Sequence, residues 1–231
     1  MTIDLAPLPA CGYRTKLETV SGCGTDVLLR SLLSRNEYHD PDGEAERAGV
    51  APAAWPLFGL LWPSAQVLAG VMTTFDIGSK RILELGCGLA LASLVIHRRS
   101  GDITASDCHP LCPPFLDENL RINFLPAMKY QSANWTRPNP QLGRFDLIIG
   151  SDLLYDRGQP EALSQFIDLH AQPQVEVVIV DPNRGNQTSF SRKMGELGYA
   201  HSRTVIAKLP DGALYKGQVH RYVRRGAAIA C

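Results

Sequence analysis

The stretch SDLLYD, residues 151–156, places two acids and an aromatic ring directly after an apolar run that is typical of a buried strand. Asp152 and Tyr155 are the side chains in it that could do chemistry. A carboxylate can attract and orient a cationic group, and the face of an aromatic ring can hold one. In an open α/β sheet the carboxyl ends of the strands border the ligand site, so both side chains could reach a ligand. Alternatively, Asp152 only caps the next helix and Tyr155 lies at the surface.

A second candidate site lies in LELGCGLALASL, where Glu84, Gly86 and Gly88 occupy a predicted strand-to-helix turn. Glycines at such a turn let a ligand approach the helix N-terminus closely. The third glycine of the dinucleotide-binding pattern is absent, because Leu91 stands in its place. The charge of Glu84 would repel a pyrophosphate, whereas it suits a ligand that carries an ammonium group.

Asp107 ends the next predicted strand, in ITASD. A carboxylate at this position can accept hydrogen bonds from both hydroxyls of a ribose. Together with Glu84 and the two glycines, it favours S-adenosylmethionine over NAD as the ligand. The alternative is a tight turn with two capping acids and no ligand.

A third polar turn, VDPNRGN, follows another apolar strand. Asp181, Asn183 and Arg184 are therefore expected at the same edge of the sheet, where they could bind polar groups of a substrate. The alternative is a simple loop.

The six cysteines form no C-x-x-C pair. Cys108, His109 and Cys112 lie close together in DCHPLC, but no second cluster exists to complete a tetrahedral zinc site. We expect no metal and free, reduced thiols, as in a cytoplasmic protein. The N-terminal residues also lack the basic and apolar regions of a signal peptide.

Strand and helix patterns alternate from residue 81 onward. The predicted strands are RILEL, DITAS, MKYQSA, RFDLIIG, VEVVIVD, AHSRTVIAKL and QVHRYVRR. Apolar strands that alternate with helices predict an α/β fold with a doubly wound, mostly parallel, seven-stranded sheet. The last two strands have no helix between them and should form an antiparallel hairpin at one edge.

The chain before this alternation is expected to divide at residue 54. Residues 1–54 are predicted to form an N-terminal flap and a polar, mobile loop, and residues 55–231 to form the main domain. The run from Val50 to Met72 carries no charge over a membrane-spanning length, but three prolines break it. It is therefore interpreted as a buried wall and not as a membrane helix.

The charge balance argues against two classes of partner. Lys and Arg total 23, as do Asp and Glu, so no net field attracts nucleic acid or an anionic membrane. The short basic run HRYVRR is interpreted as a solvated face.

The motifs ILELGCG and ITASD resemble the first two motifs of the seven-β-strand methyltransferases. LLWPSAQVLA before them and SDLLYD after them further resemble the protein lysine methyltransferases that carry a D-x-x-Y motif after the fourth strand. The likeness covers roughly residues 55–200. It implies a Rossmann-like methyltransferase fold and transfer of a methyl group from S-adenosylmethionine to an amine, most directly a protein lysine side chain.

The resemblance also implies roles for single residues. The Trp62 region would close over the cofactor, the glycines would contact its methionine part, and Asp107 would hold the ribose. Asn134 and Trp135 would flank the adenine, although members of the group often have an aspartate before that tryptophan. Asp152 and Tyr155 would be the catalytic residues. The residues expected to bind the cofactor are Trp62, Glu84, Gly86, Gly88, Asp107, Asn134, Trp135 and Ser151.

Three other functions stay open at this point. A small-molecule N-methyltransferase would use the same cofactor residues with a more enclosed acceptor pocket. A nucleic-acid amino-methyltransferase would carry an acid or asparagine, two prolines and an aromatic residue after the fourth strand, and DLLY lacks the prolines. A non-catalytic cofactor-binding protein would keep the fold but would not need both Glu84 and Asp107.

Overall fold

The computed structural model describes residues 13–137 and 139–226. The expectations for residues 1–12, which include Cys11, and for Cys231 fall outside these residues. The strands are β1 Thr15–Val20, β2 Val27–Leu32, β3 Arg81–Leu85, β4 Asp102–Asp107, β5 Lys129–Ser132, β6 Phe145–Ser151, β7 Ala171–Asp181, β8 Ala200–Lys208 and β9 Leu214–Arg224. The helices are α1 Glu44–Arg47, α2 Pro63–Thr74, α3 Leu91–Arg98, α4 Cys112–Ile122, α5 Gln159–His170 and α6 Gln187–Glu196.

The main sheet has seven strands in the order β5-β4-β3-β6-β7-β9-β8. The pairs β5–β4, β4–β3, β3–β6 and β6–β7 are parallel, whereas β9 runs antiparallel to both β7 and β8. This confirms the predicted α/β fold and its edge hairpin. The strand order reverses between β3 and β6, and open α/β sheets bind ligands at the carboxyl ends of strands on either side of such a reversal.

The apolar strands are buried on both faces. Ile149 of β6 and Val178 of β7 belong to one hydrophobic cluster, and their neighbours Ile148 and Val177 belong to a second cluster. Because successive side chains of a strand point to opposite faces, these strands need apolar residues throughout. Helices α2, α3 and α4 contribute to the first cluster, and α5 and α6 contribute to the second.

The N-terminal hairpin β1–β2 docks on α4 through side-chain amides. The backbone N–H groups of Arg30 and Leu28 donate to the Oδ1 atoms of Asn119 (2.7 Å) and Asn123 (3.0 Å). A largely buried ion pair joins Arg30 of the hairpin to Glu118 of α4 at 2.8 Å. Apolar residues of the hairpin belong to the same cluster as one face of the main sheet. The domain boundary at residue 54 stays a prediction.

Residues 35–62, called here the covering segment, link this hairpin to α2. They contain α1 and two 3₁₀ turns, Pro52–Ala54 and Leu57–Gly59. The carboxylate of Asp40 accepts the N–H groups of Ala45 (3.1 Å) and Glu46 (2.9 Å) and so caps α1. Tyr38 is buried against Phe58. The polar stretch that was expected to be a mobile loop thus contains a helical turn and a buried tyrosine.

Helix α2 packs its apolar face inside the protein, with Val67, Leu68, Ala69 and Met72 buried. Within the described ranges, no single helix has the length and apolarity to cross a membrane. The bent pair Pro52–Gly59 and Pro63–Thr74 passes that test jointly, by length and composition only, with 41° between its halves.

Candidate cofactor and acceptor site

A cavity of about 640 Å³ lies at the carboxyl ends of β3, β4 and β6, next to the covering segment. Most of the predicted site residues meet in its lining. Those that line it are Trp62, Gly86, Gly88, Asp107, Asn134, Trp135, Ser151, Asp152, Tyr155 and Arg184. The structure does not bring Glu84, Asp181 or Asn183 to this lining.

The glycine turn after β3 leaves its backbone open to the cavity. Gly86 has φ +57° and Gly88 has φ +50°, values that favour glycine. A Cβ atom on Gly86 would lie 2.6 Å from Cδ2 of Leu153, and one on Gly88 would lie 2.9 Å from the carbonyl oxygen of Phe58. A side chain at either position would therefore displace its neighbours.

The carboxylate of Asp107 is held by the backbone on both oxygens. Oδ2 accepts the N–H of Gly88 and Oδ1 accepts the N–H of His109, each at 2.9 Å. Burial raises the pKa of this carboxyl group, and the two hydrogen bonds oppose that rise. Because each carboxylate oxygen can accept about two hydrogen bonds, both can still bind a ligand hydroxyl.

Glu84 faces α3 and not the cavity. It is buried, and its Oε2 accepts hydrogen bonds from the backbone N–H of Ser93 (2.9 Å) and from the Ser93 hydroxyl. Burial raises the pKa of Glu84 to about 7. Its carboxyl group accepts a backbone N–H in the first turn of α3 and so stabilises the junction between the glycine turn and that helix. Because Glu84 does not line the cavity, it is not placed to contact a ligand ammonium directly.

Asn134 connects the loop after β5 to the covering segment. Its Oδ1 accepts the backbone N–H of Thr136 (3.0 Å), and its Nδ2 donates to the carbonyl oxygen of Ala48 (3.1 Å). An aspartate could not donate to that carbonyl, which explains why an asparagine occupies this position. The neighbouring Trp135 ring approaches Gly86, where a Cβ atom would lie 3.4 Å from Cζ2.

Trp62 shapes the covering segment. Its indole Nε1 donates to the carbonyl oxygen of Leu57 at 2.9 Å, which closes the chain around the second 3₁₀ turn. Leu57, Leu60 and Leu61 form an apolar wall of the cavity beside it. The uncharged, proline-broken run was expected to be a buried wall, and this wall lines the cavity.

The SDLLYD stretch turns back because its two leucines return to the core. Leu153 and Leu154 are buried, and Gly150 has no room for a side chain, since its Cβ would lie 2.5 Å from Cδ1 of Leu153. Asp152 adopts a left-handed conformation (φ +57°), and its N–H donates to the carbonyl oxygen of Val180 at 3.0 Å. Asp152 does not cap the next helix, because α5 has Gly158 at its N-cap and no side-chain capping bond.

Arg184 and Asp152 form an ion pair in the cavity lining. The Nε and Nη2 atoms of Arg184 lie 3.0 Å and 2.5 Å from Oδ1 of Asp152. Sequence reasoning placed both residues at one edge but did not predict that they pair.

Asp181 and Asn183 build the turn that presents Arg184. Oδ1 of Asp181 accepts the N–H of Arg184 at 2.6 Å, and Oδ1 of Asn183 accepts Nε2 of Gln218 at 2.7 Å. Asp181 is fully buried, and this burial raises its pKa. The two residues were expected to bind substrate, and the structure places them in the turn that presents Arg184, outside the cavity lining.

Tyr155 lies at the open end of the cavity, called here the mouth. Its side chain is 49% exposed and also lines the cavity, so its ring can meet a group that enters from solvent. Partial burial raises the pKa of Tyr155, and its hydroxyl therefore stays protonated at neutral pH. Gln159 fixes the turn beside it by accepting the N–H of Asp156 at 2.8 Å.

His109 is a cavity residue whose place sequence reasoning did not predict. Its ring stacks on Phe58 with 3.8 Å between centroids, and its Nδ1 accepts the N–H of Leu111 at 3.2 Å. Burial lowers the pKa of His109 to about 3, so the ring is neutral at neutral pH. Among residues 13–137 and 139–226, no group of three or more His, Cys, Asp or Glu side chains is arranged to hold a metal ion.

Curated relatives share part of this chain. A mouse electron transfer flavoprotein beta subunit lysine methyltransferase is 28% identical over 172 residues, which are 72% of this chain and 64% of the mouse protein. A protein N-lysine methyltransferase of Xenopus tropicalis is 26% identical over 72% of this chain and 81% of its own length. A calmodulin-lysine N-methyltransferase of Arabidopsis thaliana is 26% identical over 67% of this chain and 54% of its own. The chain thus spans less than two thirds of the mouse relative.

Solved structures of methyltransferases share the fold. The magnesium protoporphyrin IX methyltransferase of Synechocystis, solved with bound S-adenosylmethionine, superposes with a TM-score of 0.55 at 12% identity and covers 70% of this chain and 78% of its own. The precorrin-6y C5,15-methyltransferase of Geobacter metallireducens also gives 0.55, at 15% identity, over 69% and 87%. At these identities the likeness shows the fold alone.

The family comparison covers the sheet edge at which the cavity lies. Residues 56–196, more than half of the chain, match the family model described as lysine methyltransferase. These residues include the glycine turn, Asp107, Asp152 and Arg184. The chain belongs to the lysine methyltransferase family.

Proposed function

We propose that this protein transfers a methyl group from S-adenosylmethionine to an amine, and that the amine is a lysine side chain of another protein. One observation carries the proposal. Asp152 and Tyr155 line the same cavity as Asp107 and the glycine turn, so an acceptor group and a ribose-bearing cofactor can meet in one enclosed space. Family membership supports it.

The cavity residues fit the cofactor. When bound, S-adenosylmethionine supplies an electrophilic methyl group on a sulfonium. Gly86 and Gly88 line the cavity without a side chain, so its methionine part can approach their backbone closely. Asp107 has acceptor capacity left on both oxygens for the two ribose hydroxyls. Trp135 and Asn134 would border the adenine. Trp62 and Ser151 also line the cavity and could contact the cofactor there.

The acceptor amine has to arrive without its proton. A free lysine has a pKa near 10.4, so only about one in a thousand is neutral at pH 7, which corresponds to about 4 to 5 kcal/mol. Removal from water disfavours the ammonium form and lowers that pKa. Asp152 can accept an N–H of the amine and direct its lone pair inward. The ring of Tyr155 at the mouth can hold the methylated cation as it leaves.

The neutral overall charge supports a protein acceptor in place of nucleic acid, and we propose no membrane partner and no metal. A cytoplasmic location stays a prediction. The four cysteines that the structure describes as free are consistent with a reducing compartment.

The test is an incubation of purified protein and methyl-labelled S-adenosylmethionine with a protein extract, a metabolite pool and nucleic acid in separate reactions. Label is expected in protein lysine. Asp152→Asn should reduce methylation at least about a hundredfold, because it removes the carboxylate that orients the amine and leaves the charge of Arg184 unpaired in the cavity, while cofactor affinity by calorimetry changes little.

Asp146→Asn is the matched control, because Asp146 lies at the opposite end of the same strand and accepts only the N–H of Arg81 among its described contacts. It should keep native activity. Label in metabolites alone, or an Asp152→Asn protein that methylates at the native rate, would contradict the proposal.

A further inference from the structure

The ion pair between Arg184 and Asp152 is one-sided. Nε and Nη2 of Arg184 both contact Oδ1 of Asp152, at 3.0 Å and 2.5 Å. Oδ2 of Asp152 has no hydrogen-bond partner among the described residues. Both residues line the cavity, so one carboxylate oxygen is held by the guanidinium and the other is free to accept a hydrogen bond there.

Both partners are fixed by backbone hydrogen bonds at the edge of the sheet. The N–H of Arg184 donates to Asp181 at 2.6 Å, and the N–H of Asp152 donates to the carbonyl oxygen of Val180 at 3.0 Å. The side chain of Asp152 is only 12% exposed and that of Arg184 is 35% exposed. The pair therefore differs from a mobile surface ion pair, which has little effect on its surroundings.

An isolated carboxylate would hinder the proposed reaction. Opposite charge favours the ammonium form of the acceptor and so raises its pKa, which makes the reactive neutral amine rarer. A guanidinium at the same site has the opposite effect on the amine. Because Arg184 cancels the charge of Asp152, the carboxylate can orient an amine without holding it protonated.

We propose that Arg184 is a positioning residue that neutralises Asp152, so that the acceptor lysine binds and reacts as the neutral amine. This inference rests on the proposed function. The amine first loses its proton to water. Its nitrogen then forms a bond to the methyl carbon as the carbon–sulfur bond breaks, and that electron pair stays on sulfur. The positive charge passes to the nitrogen, and the methylated cation then leaves through the mouth.

Other titratable or charged groups surround the pair, and they are the same in every variant below. The tyrosines among them have pKa values raised by burial and stay neutral at neutral pH. The groups are Asp181 at the end of β7, Tyr155 and Asp156 after β6, Tyr215 on β9, and Arg35 of the covering segment, which lines the same cavity.

The first test is the pH dependence of kcat with the methylated protein found in the extract. Arg184→Gln should move the profile about one pH unit to higher pH, because the amine regains an uncompensated carboxylate. At pH 7 this is a fall of about tenfold that high pH recovers. Arg184→Lys keeps the charge and should keep the native midpoint, with a lower rate at all pH values. A merely structural role would lower the rate equally at every pH, and that result would overturn the proposal.

The control for this test is Arg192→Gln, the same change on α6, where Arg192 pairs with Glu196 on the exposed face. It should leave the rate and the profile unchanged.

The second test needs no protein acceptor. Butylammonium binding is measured by calorimetry at pH 7 with S-adenosylhomocysteine present. Arg184→Gln should bind this ion about tenfold more tightly than the native protein, and the double variant Asp152→Asn/Arg184→Gln should lose that gain. Equal binding by the native protein and Arg184→Gln would refute the role of Arg184. An absence of methylation in every pool would refute the proposed function instead, and this test would still decide on Arg184.

Discussion

Asn134 joins two segments that lie 86 residues apart in the chain, because its Nδ2 donates to the carbonyl oxygen of Ala48. The bond is made at the rim of the cavity, where the loop after β5 meets the covering segment. Thr136 fixes the orientation of the amide by donating to its Oδ1. The side chain therefore holds the cavity in shape through Oδ1 and one N–H of Nδ2, and only the second N–H of Nδ2 has no partner among the described residues.

Asn134→Asp should weaken S-adenosylmethionine binding about tenfold. The substitution replaces an N–H donor by a carboxylate oxygen that faces the carbonyl oxygen of Ala48. This destabilises the closed rim of the cavity by about 1 to 3 kcal/mol, and part of that loss reduces the free energy of cofactor binding. Asn139→Asp is the matched control, since Asn139 also donates to a backbone carbonyl at 3.1 Å, that of Ser132, and does not line the cavity. Calorimetry that gives equal losses for both variants would contradict the expectation.

Several of the residues that sequence reasoning brought to the cavity stand at strand ends or in a glycine turn. Gly86, Asp107 and Asp152 lie at strand ends, and the carboxyl ends of parallel strands converge. Glu84 is different, because it lies within β3, and its carboxylate finds Ser93 of the following helix. The pairing of Arg184 with Asp152 was also beyond sequence reasoning, since it depends on the left-handed backbone of Asp152 and on the turn that Asp181 holds.

Two asparagines four residues apart, Asn119 on α4 and Asn123 at its C-cap, hold the N-terminal hairpin. Asn119 and Asn123 accept N–H groups of β2, and Asn123 also donates to the carbonyl oxygen of Leu28 at 2.6 Å. On a helix, residues four apart lie on one face, so the two amides meet the edge of the strand as a neighbouring strand would. The hairpin is thereby part of the main core.

Asn119→Ala should lower the free energy of unfolding by about 2 kcal/mol, because it leaves the buried backbone N–H of Arg30 without its acceptor. Denaturant titration followed by circular dichroism measures this loss. The exposed Asn36→Ala should stay within about 0.5 kcal/mol of the native protein. An Asn119→Ala protein as stable as the native one would show that the hairpin is not anchored in this way.

The regular elements after residue 80 follow from the sequence because their apolar patterns are strong. RILEL, DITAS and VEVVIVD were predicted as strands, and each forms a strand at its expected place. The conformation of the covering segment could not be predicted from the sequence. It depends on tertiary contacts, such as the capping of α1 by Asp40, the packing around Phe58 and the contact with the loop of Asn134. Its uncharged run was predictable as a wall, but the ligand cavity behind it was not.

Across the whole molecule, buried ionisable groups respond to acid in opposite directions. Burial lowers the pKa of His109 to about 3 and that of His220 to about 4. Below pH 6.5 these histidines are protonated in the unfolded chain but stay neutral in the folded protein. The free energy of unfolding therefore decreases as the pH is lowered. Glu84 has a folded pKa of about 7, raised from 4.5, so between these values the folded protein holds the extra proton and gains stability as pH falls.

Glu84→Gln should therefore steepen the loss of stability between pH 7 and pH 5. In the native protein, proton uptake by Glu84 raises the free energy of unfolding by at most about 1.4 kcal/mol for each pH unit of acidification. Glutamine can still accept the hydrogen bonds from Ser93, but it takes up no proton and so cannot supply this contribution. Urea denaturation at several pH values measures the slope. Glu46→Gln, an exposed change on α1, should keep the native slope, and so a Glu84→Gln slope equal to the native one would argue against a protonated Glu84.

The main sheet ends at β8, whose outer backbone edge pairs with no other strand among the described residues. Such an edge invites pairing with a second copy and, at high concentration, aggregation. Val205 is 72% exposed there, between Arg203 and Lys208. Two antiparallel copies paired about this stretch would set Arg203 of one opposite Lys208 of the other, and like charges at such positions repel. The positive charge on β8 should therefore disfavour edge-to-edge pairing of two copies, a property separate from the proposed methyl transfer.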